Sequence, residues 1–284
     1  MGSNIKNTDT RPVGIFDSGL GGLCAVREAL KILPFEDIVY FGDSGRVPYG
    51  SRSYDIIKKY ARQDINFLRS KDVKIILIAC GTVASVAIND LKEAFPDIPI
   101  IGVVESACEK AVGISHEKHN KKIGVIGTEA TISKGVYKKY ITELDENCEV
   151  YGKSCPLFVP LVEHGNIRDK DFYMITKLTA EKYLRELKDL NLSSLILGCT
   201  HYPMIKEIIG EVMGEQTELT DAGLEAAYRL KKELTEKNLS TNAKTKGKLD
   251  IYISDEGINF RNIASNFLGF DINSDVTKID IEKY

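Results

Sequence analysis

Two short stretches, KIILIACGT (residues 74–82) and SLILGCTHYP (194–203), decide how this chain folds. Each is a very apolar run that ends at a cysteine, Cys80 or Cys199, with Thr82 or Thr200 close behind. Such a run reads as a buried strand, so each thiol should stand where a strand gives way to a loop. In parallel α/β sheets ligands bind at the carboxyl ends of strands. A single thiol placed there suggests a nucleophile. Two in matching surroundings suggest a pair of bases that face one substrate from opposite sides.

Outward from these stretches, strands and helices alternate. Strands are expected at 13–16, 37–43, 74–79 and 99–104. A helix is expected from Tyr54 to Ser70, with Ile57, Ala61, Ile65 and Leu68 on one face. This rhythm implies a parallel sheet with helices on both faces. It then restarts. KIGVIGTEAT (122–131) resembles PVGIFDSGLG (12–21), a strand running into a turn. Gly14 and Gly124 are 110 residues apart (124 − 14), and Cys80 and Cys199 are 119 apart (199 − 80). The near-equal offsets point to two related halves. A long helix from about Arg168 to Leu190 should turn Ile175, Leu178, Leu184 and Leu187 inward. SLILG (194–198) delivers Cys199, and a helix follows at 222–238. KNLSTNAKTKGK (237–248) reads as an exposed loop. A last strand at 248–254 and a short helix to about Phe267 should pack back on the first half. The fold class is therefore α/β. The boundaries read as 12–104 plus 219–284 for the first domain and 105–218 for the second.

Bulk properties exclude several classes. The chain has 284 residues, a formal net charge of −3 and 28% charged residues, which gives no electrostatic footprint for nucleic acid or an anionic membrane. Six cysteines without a CxxC form neither a disulfide framework nor a zinc site. MGSNIKNTDTRP is polar, so no signal peptide is expected, and Lys6 stands where myristoylation at Gly2 would need Ser or Thr. No apolar run approaches the length of a membrane span. A reducing cytoplasm is the expected compartment.

Three further motifs surround the thiols. DSGLGG (17–22) sits between a strand and a helix, and its turn would use Asp17 or Ser18 as N-cap. FGDSGRVPYG (41–50) is a turn-rich loop at the same sheet edge. PLVEHGN (160–166) carries Glu163, a carboxylate that next to an apolar strand would need a partner or a task. A helix N-terminus directly after each of these two cysteines would favour the thiolate, the reactive form. His201 or Asp17 could hold the proton. Cys24, Cys108, Cys148 and Cys155 read as small core residues, and His116 and His119 as solvated.

Taken in order, DSGLGG, FGD, PYG, the first Cys with its Thr, PLVE and GCTHYP resemble the cofactor-independent glutamate racemases, over about residues 12 to 268. The resemblance implies two pseudo-symmetric α/β domains with the active site in the cleft between them. It implies an isomerase that needs no cofactor and no metal and supplies D-glutamate for bacterial peptidoglycan. By position, Cys80 and Cys199 look like the two catalytic thiols. Cys80 would take the α-proton from the D-enantiomer and Cys199 from the L-enantiomer. Asp17 and His201 look like their acid–base helpers. Ser18, Asp43, Tyr49, Gly50, Gly81, Thr82, Thr128, Thr131, Glu163 and Thr200 match substrate-binding positions. The small-molecule partner is glutamate, and a homodimer is the assembly to look for.

One departure stands out. The family usually has Asn after the first cysteine, where this chain has Gly81. Its absence removes hydrogen bonds of about 0.5–1.5 kcal/mol each, which leaves aspartate open as an alternative substrate. A cysteine hydrolase built on Cys199 and His201, or a non-catalytic binding protein, are the readings from other classes.

Overall fold

The computed structural model describes residues 8–165, 169–257, 259–272 and 276–284. The polar start with Gly2 and Lys6 lies outside the described residues, as does Arg168, the expected first residue of the long helix. The first half runs β1 (Val13–Asp17), α1 (Leu23–Ile32), β2 (Ile38–Gly42), α2 (Tyr54–Ser70), β3 (Ile75–Ile78), α3 (Gly81–Val86), α4 (Ile88–Ala94) and β4 (Ile100–Gly102). The second runs α5 (Val103–Glu117), β5 (Lys122–Gly127), α6 (Glu129–Lys134), α7 (Val136–Leu144), β6 (Glu149–Ser154), α8 (Phe158–His164), α9 (Lys170–Lys188), β7 (Ser194–Leu197), α10 (Lys206–Met213) and β8 (Glu218–Asp221). The chain then returns through α11 (Ala222–Glu236), β9 (Leu249–Ile253), α12 (Phe260–Leu268) and β10 (Val276–Lys278).

Every strand pairing is parallel. One sheet has the order β10-β9-β2-β1-β3-β4 and the other β6-β5-β7-β8. The inner order β2-β1-β3-β4 repeats as β6-β5-β7-β8, so the two sheets share one topology. In this repeat β3 and β7 are equivalent. The two cysteines each lie two residues past their strand, Ile78 to Cys80 and Leu197 to Cys199. The repeat seen in the sequence is thus a repeat of strand order, and β9 and β10 are added to the outer edge of the first sheet beside β2.

The buried runs explain why these segments are strands. β1, β2, β3 and β7 are buried along their whole length, as expected for parallel strands covered on both faces. α2 buries Ile57, Ala61, Ile65 and Leu68, the face its periodicity indicates. The structure corrects four expectations. On α9, Leu184 and Leu187 are buried, but Ile175 and Leu178 are 53% and 59% exposed, and Thr176 and Ala180 take the inner face. Smaller residues there let the helix lie closer to its neighbours. The strand expected to 104 stops at Gly102, because Val103 opens α5. β6 is absent from the sequence reading, since EVYGKS is an outer strand with no apolar run. His116 is exposed, as expected, but the charged stretch HEKHN is not all loop: His116 lies in the last turn of α5 and pairs with Asp145 at 2.8 Å.

The inner face of α9 gives a test. Leu184→Ala should destabilise the protein by about 2–5 kcal/mol through the cavity it leaves. Leu178→Ala should stay within about 0.5 kcal/mol, because its side chain faces water. Denaturant unfolding of both variants measures the contrast, and equal losses would contradict the orientation.

Candidate active site

The strand ends bring their loops to one cavity of about 420 Å³. From the first sheet it is lined by Ser18 after β1, by Tyr49 and Gly50 after β2, and by Cys80, Gly81 and Thr82 after β3. From the second it is lined by Thr128 after β5, Glu163 on α8, and Cys199, Thr200 and His201 after β7. Asp17, Asp43 and Thr131 do not line it. They stand one shell behind, where each supports a residue that does.

Glycines allow the loops to meet. A Cβ on Gly21 would lie 2.3 Å from Thr200 Oγ1 and 2.5 Å from His201 Nδ1. DSGLGG is therefore a seam between the two halves, held from below by the Tyr40 hydroxyl, which donates to Gly19 O at 2.7 Å. The expected N-cap role is not found. Gly22 stands at the N-cap of α1, which has no side-chain cap, and Asp17 instead accepts the Gly19 N–H at 3.1 Å and the Thr200 hydroxyl at 3.5 Å. Asp17 is 1% exposed, and burial raises its carboxyl above the usual range.

Cys80 is buried and its thiol donates to Ser18 Oγ at 3.4 Å. α3 does start directly after it, but burial, followed by the charge of Asp17, pushes the thiol up to about 12. Desolvation outweighs the helix end, so Cys80 rests as a thiol at neutral pH. Cys199 differs from expectation in another way. No α-helix starts directly after it: a 3₁₀ turn at Tyr202–Ile205 comes first and leads into α10. Its partner is His201, whose Nδ1 lies 3.8 Å from the sulfur. His201 Nε2 is 2.8 Å from Glu163 Oε1. Burial works against a charged imidazole here, but the bonds to Cys199 and Glu163 outweigh it and His201 is pushed up to about 10. Glu163 lies on a helix, not beside a strand as expected. Burial would raise it, yet the hydrogen bond and charge of His201 hold it below the usual carboxylate range. Cys24, Cys108, Cys148 and Cys155 are buried with raised thiols and outside the cavity, as core residues should be.

Hydroxyls line the opposite wall. Thr82 and Thr128 Oγ1 are 3.0 Å apart, and Thr131 Oγ1 is 3.0 Å behind Thr128. Thr128 also caps α6, accepting the Thr131 N–H at 3.3 Å. Gly50 packs on Thr128, and its carbonyl accepts the Ala130 N–H at 3.3 Å.

Several contributors escape the sequence reading. Val47, Pro48, Pro156, Val159 and Pro160 form an apolar wall that the turn-rich composition of their loops conceals. Phe267 of α12 packs edge-on against His201, 5.3 Å between ring centres, and helps keep it from water. Arg46 holds the Tyr49 loop from behind. Asp43 accepts from both the Tyr49 hydroxyl and Arg46 Nε, the latter at 2.6 Å, and Arg46 also reaches Asp64 at 3.2 Å. The spacing of Asp43 and Arg46, three apart in the turn, was the available signal. Both carboxylates are fully buried. Burial, then the charge of Asp43, holds Asp64 well above its usual range. Among the described residues no helix is long and apolar enough to cross a membrane, and no cluster of His, Cys, Asp or Glu is arranged to hold a metal.

A family model for Asp/Glu/Hydantoin racemases matches residues 29–227. The chain belongs to this family. It is 42% identical over 276 residues to the glutamate racemase of Thermoanaerobacter pseudethanolicus, covering 97% of this chain and 100% of that one. Among solved structures it is similar to glutamate racemase from Francisella tularensis in complex with D-glutamate, at 37% identity and a TM-score of 0.87, covering 97% of this chain and 100% of that chain. The enzyme from Thermus thermophilus in complex with beta-chloro-D-alanine gives 36% identity and a TM-score of 0.84, over 97% and 100% of the two chains. A member of this family with such relatives is an amino-acid racemase, an isomerase.

Arg46 provides a test of the supporting shell. Arg46→Met removes the cation that Asp43 and Asp64 share, which should cost about 3–5 kcal/mol. Denaturant unfolding measures the loss, and wild-type stability would contradict the assignment.

Proposed function

We propose that the chain is a glutamate racemase that interconverts L- and D-glutamate with two thiols as bases and no cofactor. In the cell it supplies D-glutamate for peptidoglycan, in a reducing cytoplasm that suits six free thiols. The reading is carried by one observation: Cys80 and Cys199 line a single cavity from equivalent positions of two sheets. The names of the relatives support the choice of glutamate.

Inversion requires that one face of the α-carbon lose a proton while the other gains one. In the L-to-D direction a Cys199 thiolate takes the α-proton and the Cys80 thiol gives its proton to the opposite face. The products are D-glutamate, a Cys199 thiol and a Cys80 thiolate, and no electrons are transferred. The reverse reaction runs the same steps backward. The surroundings of the two sulfurs suit these roles. The bonds to Cys199 and Glu163 raise His201 and so favour a charged imidazole beside the Cys199 sulfur, while burial raises the Cys80 thiol. Asp17 and His201 then serve to reset the protons between turnovers. The α-proton is a far weaker acid than a thiol near 8.5, so the developing carbanion needs fixed donors in a dry site. The hydroxyls of Ser18, Thr82, Thr128 and Thr200 face the cavity and meet that need.

Purified protein with no added cofactor should exchange the α-hydrogen of glutamate in D2O and racemise it, as followed by NMR and circular dichroism. No exchange with either enantiomer would sink the proposal. Cys80→Ser and Cys199→Ser should each abolish racemisation while leaving the fold intact. A second test uses pH. His201 gains its proton affinity in the folded state, so its stabilising effect is complete below about 6.5 and is lost as pH rises through about 10. Glu163→Gln removes one of the two groups that raise it. The alkaline limb of L-to-D turnover should therefore move to lower pH, and an unmoved limb in the pH–rate profile would contradict the role of Glu163.

A further inference from the structure

Gly81 departs from the family pattern, and in the sequence it reads as a lost side chain. Its surroundings give it another meaning. A Cβ built on Gly81 lies 2.2 Å from the carbonyl oxygen of Gly198, so the Cys80 and Cys199 turns touch backbone to backbone. Neither side has room to retreat. The Gly198 N–H donates to Ile126 O at 2.8 Å, and a Cβ at Gly198 would itself lie 2.8 Å from that oxygen, with the Tyr137 ring 3.3 Å away. On the other side, the Ala79 N–H donates to Phe16 O and the Ala84 N–H to Cys80 O, both at 2.9 Å. Along the same seam the Thr82 and Thr128 hydroxyls are 3.0 Å apart.

We infer that Gly81 is a positioning residue: its lack of a side chain sets how closely the Cys80 and Cys199 turns approach, and any side chain there, Asn included, drives the two sulfurs apart. The end of a flexible side chain could move aside for a Cβ. The Gly198 carbonyl is backbone of a residue whose own N–H is held on β5 in a close-packed interior, so the adjustment falls on the seam itself. This inference rests on the two-thiol reading, because only a reaction that needs both sulfurs at once makes their separation critical. Contacts that a side chain at 81 would offer the substrate then fall to the hydroxyls of Ser18, Thr82 and Thr128.

The experiment compares wild type, Gly81→Ala and Gly81→Asn. Racemisation of glutamate is measured in both directions, together with α-hydrogen exchange in D2O. Wild-type activity is the control, and its absence would fail the racemase reading before the variants are considered. Both variants should lose about 10- to 100-fold in kcat, with KM moving less. The ratio of exchange to inversion should rise, because one thiol still reaches the α-carbon when its partner no longer does. Gly81→Asn should be no better than Gly81→Ala. A Gly81→Asn enzyme that keeps or raises kcat/KM would overturn the inference, as would an unchanged ratio of exchange to inversion. A Gly81→Ala protein that fails to fold by circular dichroism would make the contact one of folding alone, and would also overturn it.

Discussion

The site depends on backbone meeting backbone where the carboxyl ends of two parallel sheets face each other. Gly21 admits Thr200 and His201, and Gly81 admits the carbonyl of Gly198. A side chain at either point would hold the sheets apart. Glycine is conformationally costly, by roughly 0.5–1 kcal/mol relative to alanine inside a helix. At these positions the close backbone approach that a missing side chain allows offsets the cost. The hydroxyl pair Thr82–Thr128 and the Thr200–Asp17 contact both form along this seam.

Once the halves meet, burial differentiates two thiols that begin in equivalent places. Cys80 is surrounded by apolar strand ends and a buried carboxylate, and both disfavour its thiolate. Cys199 faces an imidazole whose far nitrogen is tied to Glu163. A low-dielectric interior strengthens each of these interactions relative to water. The pseudo-symmetry of the strands therefore produces chemical asymmetry at the sulfurs. A similar logic runs one shell out. Arg46 bridges two buried carboxylates, and one of them, Asp43, accepts the Tyr49 hydroxyl.

Much of the framework was legible because it is local. The face of α2 follows from its periodicity, and β1, β3 and β7 from continuous apolar runs. The expectation failed where local pattern and tertiary need diverge. On α9 the apolar Ile175 and Leu178 face water while Thr176 and Ala180 pack inward with Leu184 and Leu187. β6 has no apolar run because it is an outer strand. The reading of Glu163 as a strand neighbour missed that PLVEH is a helical turn. Phe267 carries no motif, and its role comes from what the fold brings beside it.

By itself the sequence determined the strand rhythm, its repetition, and the placement of one thiol after the equivalent strand of each half. These are properties of neighbouring residues, and periodicity records them. Only the tertiary structure decided how differently the two thiols are surrounded, which histidine pairs with a carboxylate, and which glycines stand where the loops meet. Those outcomes depend on desolvation and on contacts between residues far apart in the chain, such as Asp17 with Thr200 and Glu163 with His201. Solvent exclusion and long-range proximity exist only after the chain has closed on itself, so no local pattern encodes them.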